Sequence, residues 1–325
     1  LILKEDVMHK ILLSVAFLLA SFNGWAQSFP SQPVHIVVPF PPGGSADVLA
    51  RILQPKLAEL WKQPVLVENK PGASANIGAA HVAKSAPDGT TMLLATPALA
   101  VSAAVYKNLS YDAQRDLAPV AMLSVFPSVL VVHPSVPAKT PAELVQYAKA
   151  NPGKLNFASA GNLSAIRFAF EHLAQITGIK AVHVPYKGSA PSAQAMISGE
   201  SHTMMMTLVD ALPHLKSGRL RPLAATTIER IADLPELPTL AETVAPGFDY
   251  IIWHGFYVPA GTPADVIAKL NRDVNTVLQQ PDVRERLTGL GMQVRPGGPE
   301  QLGSYVRGEI RKWTEVAKAA NIKVD

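Results

Sequence analysis

Val37-Val38-Pro39-Phe40-Pro41-Pro42-Gly43-Gly44-Ser45-Ala46-Asp47-Val48-Leu49-Ala50-Arg51 joins an apolar, β-branched run to an amphipathic one through a proline turn and two glycines. The first part has the composition of a buried strand and the last that of a helix start. At such a junction the first N–H groups of the helix have no intrahelical partner and point beyond the strand end. Glycine lets a ligand come close to that backbone, and the helix dipole favours an anion there. The junction is a candidate site for a carboxylate or phosphate. Asp47, in the first helical turn, reads first as an acid that satisfies the dipole. Taken alone, the glycines also fit a tight turn and nothing more.

A second junction of the same kind lies further on. Leu155-Asn156-Phe157-Ala158 runs into Ser159-Ala160-Gly161-Asn162-Leu163-Ser164 and then into a helix expected over Ala165–Ile176. Between the two junctions, and beyond them, short apolar runs alternate with amphipathic ones. Val34–Val38, Val65–Val67, Thr91–Leu94, Val129–Val132, Leu155–Phe157, Ala181–Val184 and Leu223–Ala225 read as buried strands. Thr140-Pro141-Ala142-Glu143 and Thr262-Pro263-Ala264-Asp265 each read as an N-cap threonine, a proline at N1 and an acid at N3. The last helix is expected from about Pro299 to Ala320, with Trp313 on it, away from any cleft.

Alternation of this kind specifies an α/β protein with mainly parallel sheets flanked by helices. The 325 residues suit two lobes better than one core. The chain is expected to change lobe near Val129–Pro134 and return near Tyr250–Pro259, two crossover strands that form a hinge beside Trp253. That places residues 27–128 and 250–325 in a discontinuous first lobe and 129–249 in the second. Ligands of open parallel sheets bind outside the carboxyl ends of the strands, so the two junctions are expected to face each other across the cleft.

Residues 1–26 read as a cleaved signal peptide. Met8-His9-Lys10 is a basic start, Ile11–Phe22 an uncharged apolar stretch, and Asn23-Gly24-Trp25-Ala26 a small-residue cleavage site after Ala26. Met8 opens that leader by itself, so Leu1–Val7 read as upstream of it. Twelve apolar residues span ~18 Å of a ~30 Å hydrocarbon core, too little for an anchor. A periplasmic location follows. The absence of cysteine excludes disulfides, thiol nucleophiles and Cys-bound metals. A formal charge of +4 without a basic run argues against nucleic acid. No Gly-x-Ser-x-Gly, P-loop, Gly-x-Gly-x-x-Gly or His-Glu-x-x-His is present, and the histidines are scattered singly, so no catalytic residue, metal or cofactor is expected.

The chain from about Pro33 onward resembles the substrate-binding proteins of tripartite tricarboxylate transporters, the Bug/TctC-like receptors. The resemblance rests on Pro39–Gly44 with Asp47 and Ala50-Arg51, on Asn69-Lys70-Pro71-Gly72-Ala73 and on Ala83–Gly89. It continues through Pro152-Gly153-Lys154-Leu155-Asn156, His183–Gly188 and Pro259–Pro263, all in the family's order. It implies a two-lobed, type II-like periplasmic receptor, acting as a monomer, that closes over a small organic carboxylate and hands it to membrane permease subunits. By the same resemblance the ligand-binding residues are Phe40, Gly43, Gly44, Ser45 and Thr96 in the first lobe. In the second they are Ser159, Gly161, Asn162, Ser164 and Thr207. The sequence departs from the family pattern at Ala46, Ala75, Leu163 and Arg167-Phe168, and at Met204-Met205-Met206-Thr207 where the family often has Asp-Asn. Arg167 reads as a solvated helix residue and the methionines as strand core. The substitutions point to a ligand with an apolar or aromatic body rather than citrate. The competing readings are a secreted α/β hydrolase or isomerase acting on a carboxylate, and a receptor that signals to a membrane sensor.

Overall fold

The computed structural model describes residues 29–322; the expected signal peptide over 1–26 lies outside them. In chain order come β1 (Val34–Val38), α1 (Ser45–Trp61), β2 (Val65–Asn69), α2 (Asn76–Ala83), β3 (Thr91–Ala95), α3 (Pro97–Val105) and β4 (Leu117–Phe126). There follow β5 (Ser128–Val132), α4 (Pro141–Ala150), β6 (Asn156–Ser159), α5 (Ala165–Thr177), β7 (Val182–Pro185) and α6 (Ser189–Ser198). Next are β8 (Thr203–Thr207), α7 (Leu208–Lys216), β9 (Arg221–Ala225) and α8 (Leu240–Thr243). The chain closes with β10 (Ile252–Pro259), α9 (Ala264–Leu278), α10 (Pro281–Gly289), β11 (Gln293–Val294) and α11 (Pro299–Ala319).

Two sheets result, ordered β11-β4-β10-β3-β1-β2 and β7-β6-β8-β5-β9. Parallel pairing joins β1 to β2 and β3, and β6 to β7 and β8. β11 pairs antiparallel with β4 at the edge of the first sheet, and each sheet has one reversed strand in its interior, β10 in the first and β5 in the second. Both are the strands by which the chain enters a sheet from the other one. A strand leaving one sheet along its direction runs into the neighbouring sheet against that sheet's direction, so each crossing inserts a reversed strand. Only Pro127 separates β4 from β5, so the first crossing is a proline break in what is otherwise one long apolar run.

The two ends of the chain are packed together in the first lobe. Trp61, at the end of α1, donates its indole N–H to buried Asp273 of α9 at 2.8 Å. α11 reaches across to the second lobe. Trp313, fully buried, lies edge-on to Phe168 of α5 and to Tyr250, with ring centroids 6.2 and 6.4 Å apart. As expected, Trp313 stays off the cleft; it is nonetheless buried where the lobes meet, because the final helix is long enough to cover both. α4 begins as expected, with a reciprocal Thr140–Glu143 capping box. α9 does not, for its N-cap is Pro263, and the Thr262 hydroxyl donates instead to the Pro259 carbonyl at 2.8 Å.

Candidate functional site

The α1 junction is held open by a buried carboxylate. Asp47 is 2% exposed. Its Oδ2 accepts from the Gly43 N–H at 2.9 Å and from Arg51 Nε at 3.0 Å, and its Oδ1 accepts from Asn69 Nδ2 at 2.9 Å. Asn69 also donates to the Phe40 carbonyl at 3.0 Å. Burial alone would raise the Asp47 pKa. The donors from Arg51, Gly43 and Asn69 outweigh it and hold the carboxyl at about 2. Asp47 thus ties the β1–α1 loop to the end of β2, which explains why the Pro39–Arg51 and Asn69–Ala73 stretches work as one unit.

The loop after β2 bends through three successive non-glycine residues of positive φ, Ala73 (46°), Ser74 (54°) and Ala75 (76°). Left-handed backbone costs a residue with a Cβ roughly 1–2 kcal/mol, and such strain gathers at binding sites. Ala73 is exposed, so glycine there relieves strain without losing buried area. Ala73→Gly is expected to stabilise the fold by about 0.5–1 kcal/mol after the entropy gained by the unfolded chain. The check is a higher denaturant midpoint at unchanged m; a lower one would show that the turn is not strained.

The second junction is built by hydroxyls. Ser159 is fully buried. Its Oγ donates to the Gly161 carbonyl at 3.0 Å, accepts from the Gly161 amide at 3.2 Å, and sits 2.7 Å from His183 Nε2. Burial, with Arg167 nearby, pushes His183 down to about 4, so a neutral ring supports the loop. Ser164 is the N-cap of α5 and donates to the Gly161 carbonyl at 2.9 Å. Arg167 is not solvated as expected: it folds back, and its Nη1 donates to the Asn162 carbonyl at 2.9 Å.

Between the junctions lies a cleft of about 820 Å³. Phe40, Gly44, Ser45, Thr96, Gly161, Asn162 and Ser164 all line it. Gly43, Ser159 and Thr207 do not. The Gly43 amide is already engaged by Asp47, and Ser159 lies under its loop rather than on it. Thr207 is the N-cap of α7, its hydroxyl donating to Asp210 Oδ2 at 2.6 Å. Met204, Met205 and Met206 are buried in β8 and also stay off the cleft.

Four helix starts converge on this cleft: Ser45 of α1, Pro97 of α3 behind its cap Thr96, Ala165 of α5, and Ser189 of α6 behind its cap Gly188. α1 and α6 are capped by Gly44 and Gly188 with no side-chain cap bond, so their first amides remain open. No Asp, Glu, Lys or Arg is among the described lining residues. The positive potential comes from aligned peptide dipoles, each equivalent to about half a charge at its helix start. Phe40, Pro41, Leu163, Ile166 and Ile252 supply apolar walls.

Sequence reading missed Gly188, Ser74 and the returning strand. Gly188 had the same signature as the two junctions recognised, a strand, a glycine and then a helix. Tyr250, Ile252 and His254 alternate onto the cleft, whereas Asp249 and Ile251 face a different cavity, as strand periodicity requires. His254 is fully buried at the cleft floor. Its Nε2 lies 3.3 Å from Ser45 Oγ and its Nδ1 3.1 Å from Ser124 Oγ. Burial pushes it down to about 4.

Two α/β lobes around a dipole-lined cleft have the architecture of a solute receptor. The chain belongs to the tripartite tricarboxylate transporter receptor family, whose model matches residues 49–322. It is 35% identical to protein BugT of Bordetella pertussis over 92% of both chains. Its structure is similar to that of Rpa4515 from R. palustris, solved with adipate, at a TM-score of 0.77 and 34% identity, covering 91% of this chain and 99% of the other. It is also similar to MatC from Rhodopseudomonas palustris, solved with bound malate, at a TM-score of 0.75 and 34% identity, covering 89% and 99%.

Proposed function

We propose that this protein is a periplasmic receptor that captures a small carboxylate with an apolar or aromatic body and delivers it, as a monomer, to the membrane permease of a tripartite tricarboxylate-type transporter. The observation that carries the ligand class is the convergence of four helix starts on a cleft with no charged side chain among its described lining residues. Dipoles and open amides hold an anion but do not transform it. Two of the helix starts come from each lobe, so a ligand touching both sets favours approach of the lobes. The apolar walls and the absence of an arginine or lysine favour few carboxylates over many. Adipate and malate, in the two related structures, are small dicarboxylates, and adipate has an apolar chain between its carboxyl groups.

A hydrolase reading would need a nucleophile and a base held by a third group. Ser45 and His254 are the one such pair in the cleft among the described residues, and the ring's other nitrogen meets Ser124 rather than a carboxylate. The pair lacks the buried anion that would stabilise an imidazolium.

The test is thermal melting of protein refolded free of ligand, with adipate, malate, benzoate and citrate set against adipamide and benzamide. Adipate, malate and benzoate are expected to raise the midpoint, by the equivalent of about 2.7 kcal/mol at a hundredfold excess over Kd, citrate less, and the neutral amides not to. Equal shifts from acid and amide would overturn the anion site.

A further inference from the structure

We propose that His254 and Ser124 form a buried hydrogen-bond relay that fixes the Ser45 hydroxyl as a donor toward the cleft. The proposal rests on the carboxylate reading of the site. It follows from complete accounting of donors and acceptors along one line of three side chains.

Ser124 and His254 face each other across the antiparallel β4–β10 pair, and the register slips immediately after His254. Both side chains are fully buried. The Phe126 ring closes one side of the imidazole, edge-on at 5.5 Å. Among the described residues Ser124 Oγ has one hydrogen-bond partner, His254 Nδ1, and Ser45 Oγ has one, His254 Nε2. A neutral imidazole carries its proton on one nitrogen and accepts on the other.

The two tautomers are not equivalent here. With the proton on Nδ1, the ring donates to Ser124 Oγ, and the hydrogen of the fully buried Ser124 hydroxyl is left without an acceptor among the described residues. An unsatisfied buried donor is strongly disfavoured. Ser45 would then donate to Nε2 and present only lone pairs to the cleft. With the proton on Nε2, Ser124 donates to Nδ1 and Nε2–H donates to Ser45 Oγ. Every buried group is satisfied, and the Ser45 hydrogen is left free for an acceptor in the cleft. Ser124, which does not line the cleft, thereby selects a hydroxyl orientation that attracts a carboxylate. His254 and Ser124 are positioning residues, and Ser45 is the group that meets the ligand.

Long-range ¹H–¹⁵N spectra of the ligand-free wild-type protein read the ring state directly, with the signals assigned by their loss in His254→Phe. The expected result is a protonated Nε2 and an unprotonated, hydrogen-bonded Nδ1 at neutral pH. A proton on Nδ1 would overturn the relay, whatever the protein binds. With adipate as probe, Ser45→Ala and Ser124→Ala are each expected to weaken binding about three- to tenfold. The two losses should not multiply in the double variant, because both remove the same donor. Independent, multiplying losses would refute the relay, since Ser124 would then act by another route. Unchanged adipate affinity in Ser45→Ala would instead count against the carboxylate site at α1 and leave the measured tautomer standing.

Discussion

Gly44→Val is expected to abolish most carboxylate binding while the protein stays folded. Gly44 has φ −77° and ψ 168°, extended backbone that any residue adopts. A Cβ built there meets no heavy atom within 4 Å. Replacing glycine by valine at an N-cap costs roughly 1 kcal/mol, so the melting midpoint should fall by only about 2–4 °C. The open space around Gly44 is the mouth of α1, where the uncapped first amides face the cleft. A branched side chain there occupies the position proposed for the carboxylate. A loss of roughly a hundredfold in adipate affinity, about 2.7 kcal/mol, is expected.

A matched control exists at the far end of the chain. Gly298 is the N-cap of α11 with φ −81° and ψ 165°, no side-chain cap bond and nothing within 4 Å of an added Cβ. It does not line the cleft. Gly298→Val should therefore cost similar stability and leave binding intact. Isothermal titration of both variants separates the effects. Wild-type affinity in a folded Gly44→Val protein would show that the carboxylate does not lie against α1. The neighbouring Gly43 is no substitute for this test, because its φ of +90° would strain any side chain.

The parts of the site legible in sequence are those in which strand, glycine and helix start lie within a few residues of each other. Gly44, Ser45, Gly161, Asn162 and Ser164 could be placed on the cleft from local pattern and resemblance, because a junction carries its geometry with it. The errors have a different origin. Gly43 and Ser159 belong to the right loops, but their polar groups turn inward to Asp47 and His183. Local sequence does not say which face of a loop will need internal partners. Thr207 lies on a strand that pairs antiparallel with β5, and its hydroxyl caps the following helix.

His254 was unreadable for a stronger reason. Its partners are 130 and 209 residues away, so only the register of β10 against β4 brings them together. A histidine that looks solitary in sequence acquires its role from strand pairing. The same holds for Trp313, whose place between the lobes depends on the path of α11 rather than on its own amphipathic pattern. Mixed sheets were likewise hidden. Apolar runs of β5 and β10 do not reveal that they enter each sheet reversed.

Asp47→Asn is the substitution expected to cost the fold most at the site. The two carboxylate oxygens receive three donors, the Gly43 amide, Arg51 Nε and Asn69 Nδ2. An asparagine amide has one oxygen, so in either orientation its NH₂ group confronts a donor inside a buried site. Unsatisfied buried groups cost about 1–3 kcal/mol each, and a total loss near 3 kcal/mol is expected, or about 6–12 °C in melting midpoint. Acid sensitivity gives an independent sign. The Asp47 pKa is lowered from 3.8 to about 2 in the folded protein, so its contribution is fully present above its ordinary value and is lost as the pH falls through about 2. The shift corresponds to roughly 2 kcal/mol, an upper figure because the Arg51 side chain is half exposed and screened. Denaturant midpoints measured from about pH 5 to about pH 2 should fall more steeply in the wild type than in Asp47→Asn, because the variant has no carboxyl to titrate at this position. Identical acid profiles would mean that the β1–α1 loop does not depend on a buried charge. A parallel profile shifted downward by the same energy would mean that shape, not ionisation, is what Asp47 supplies.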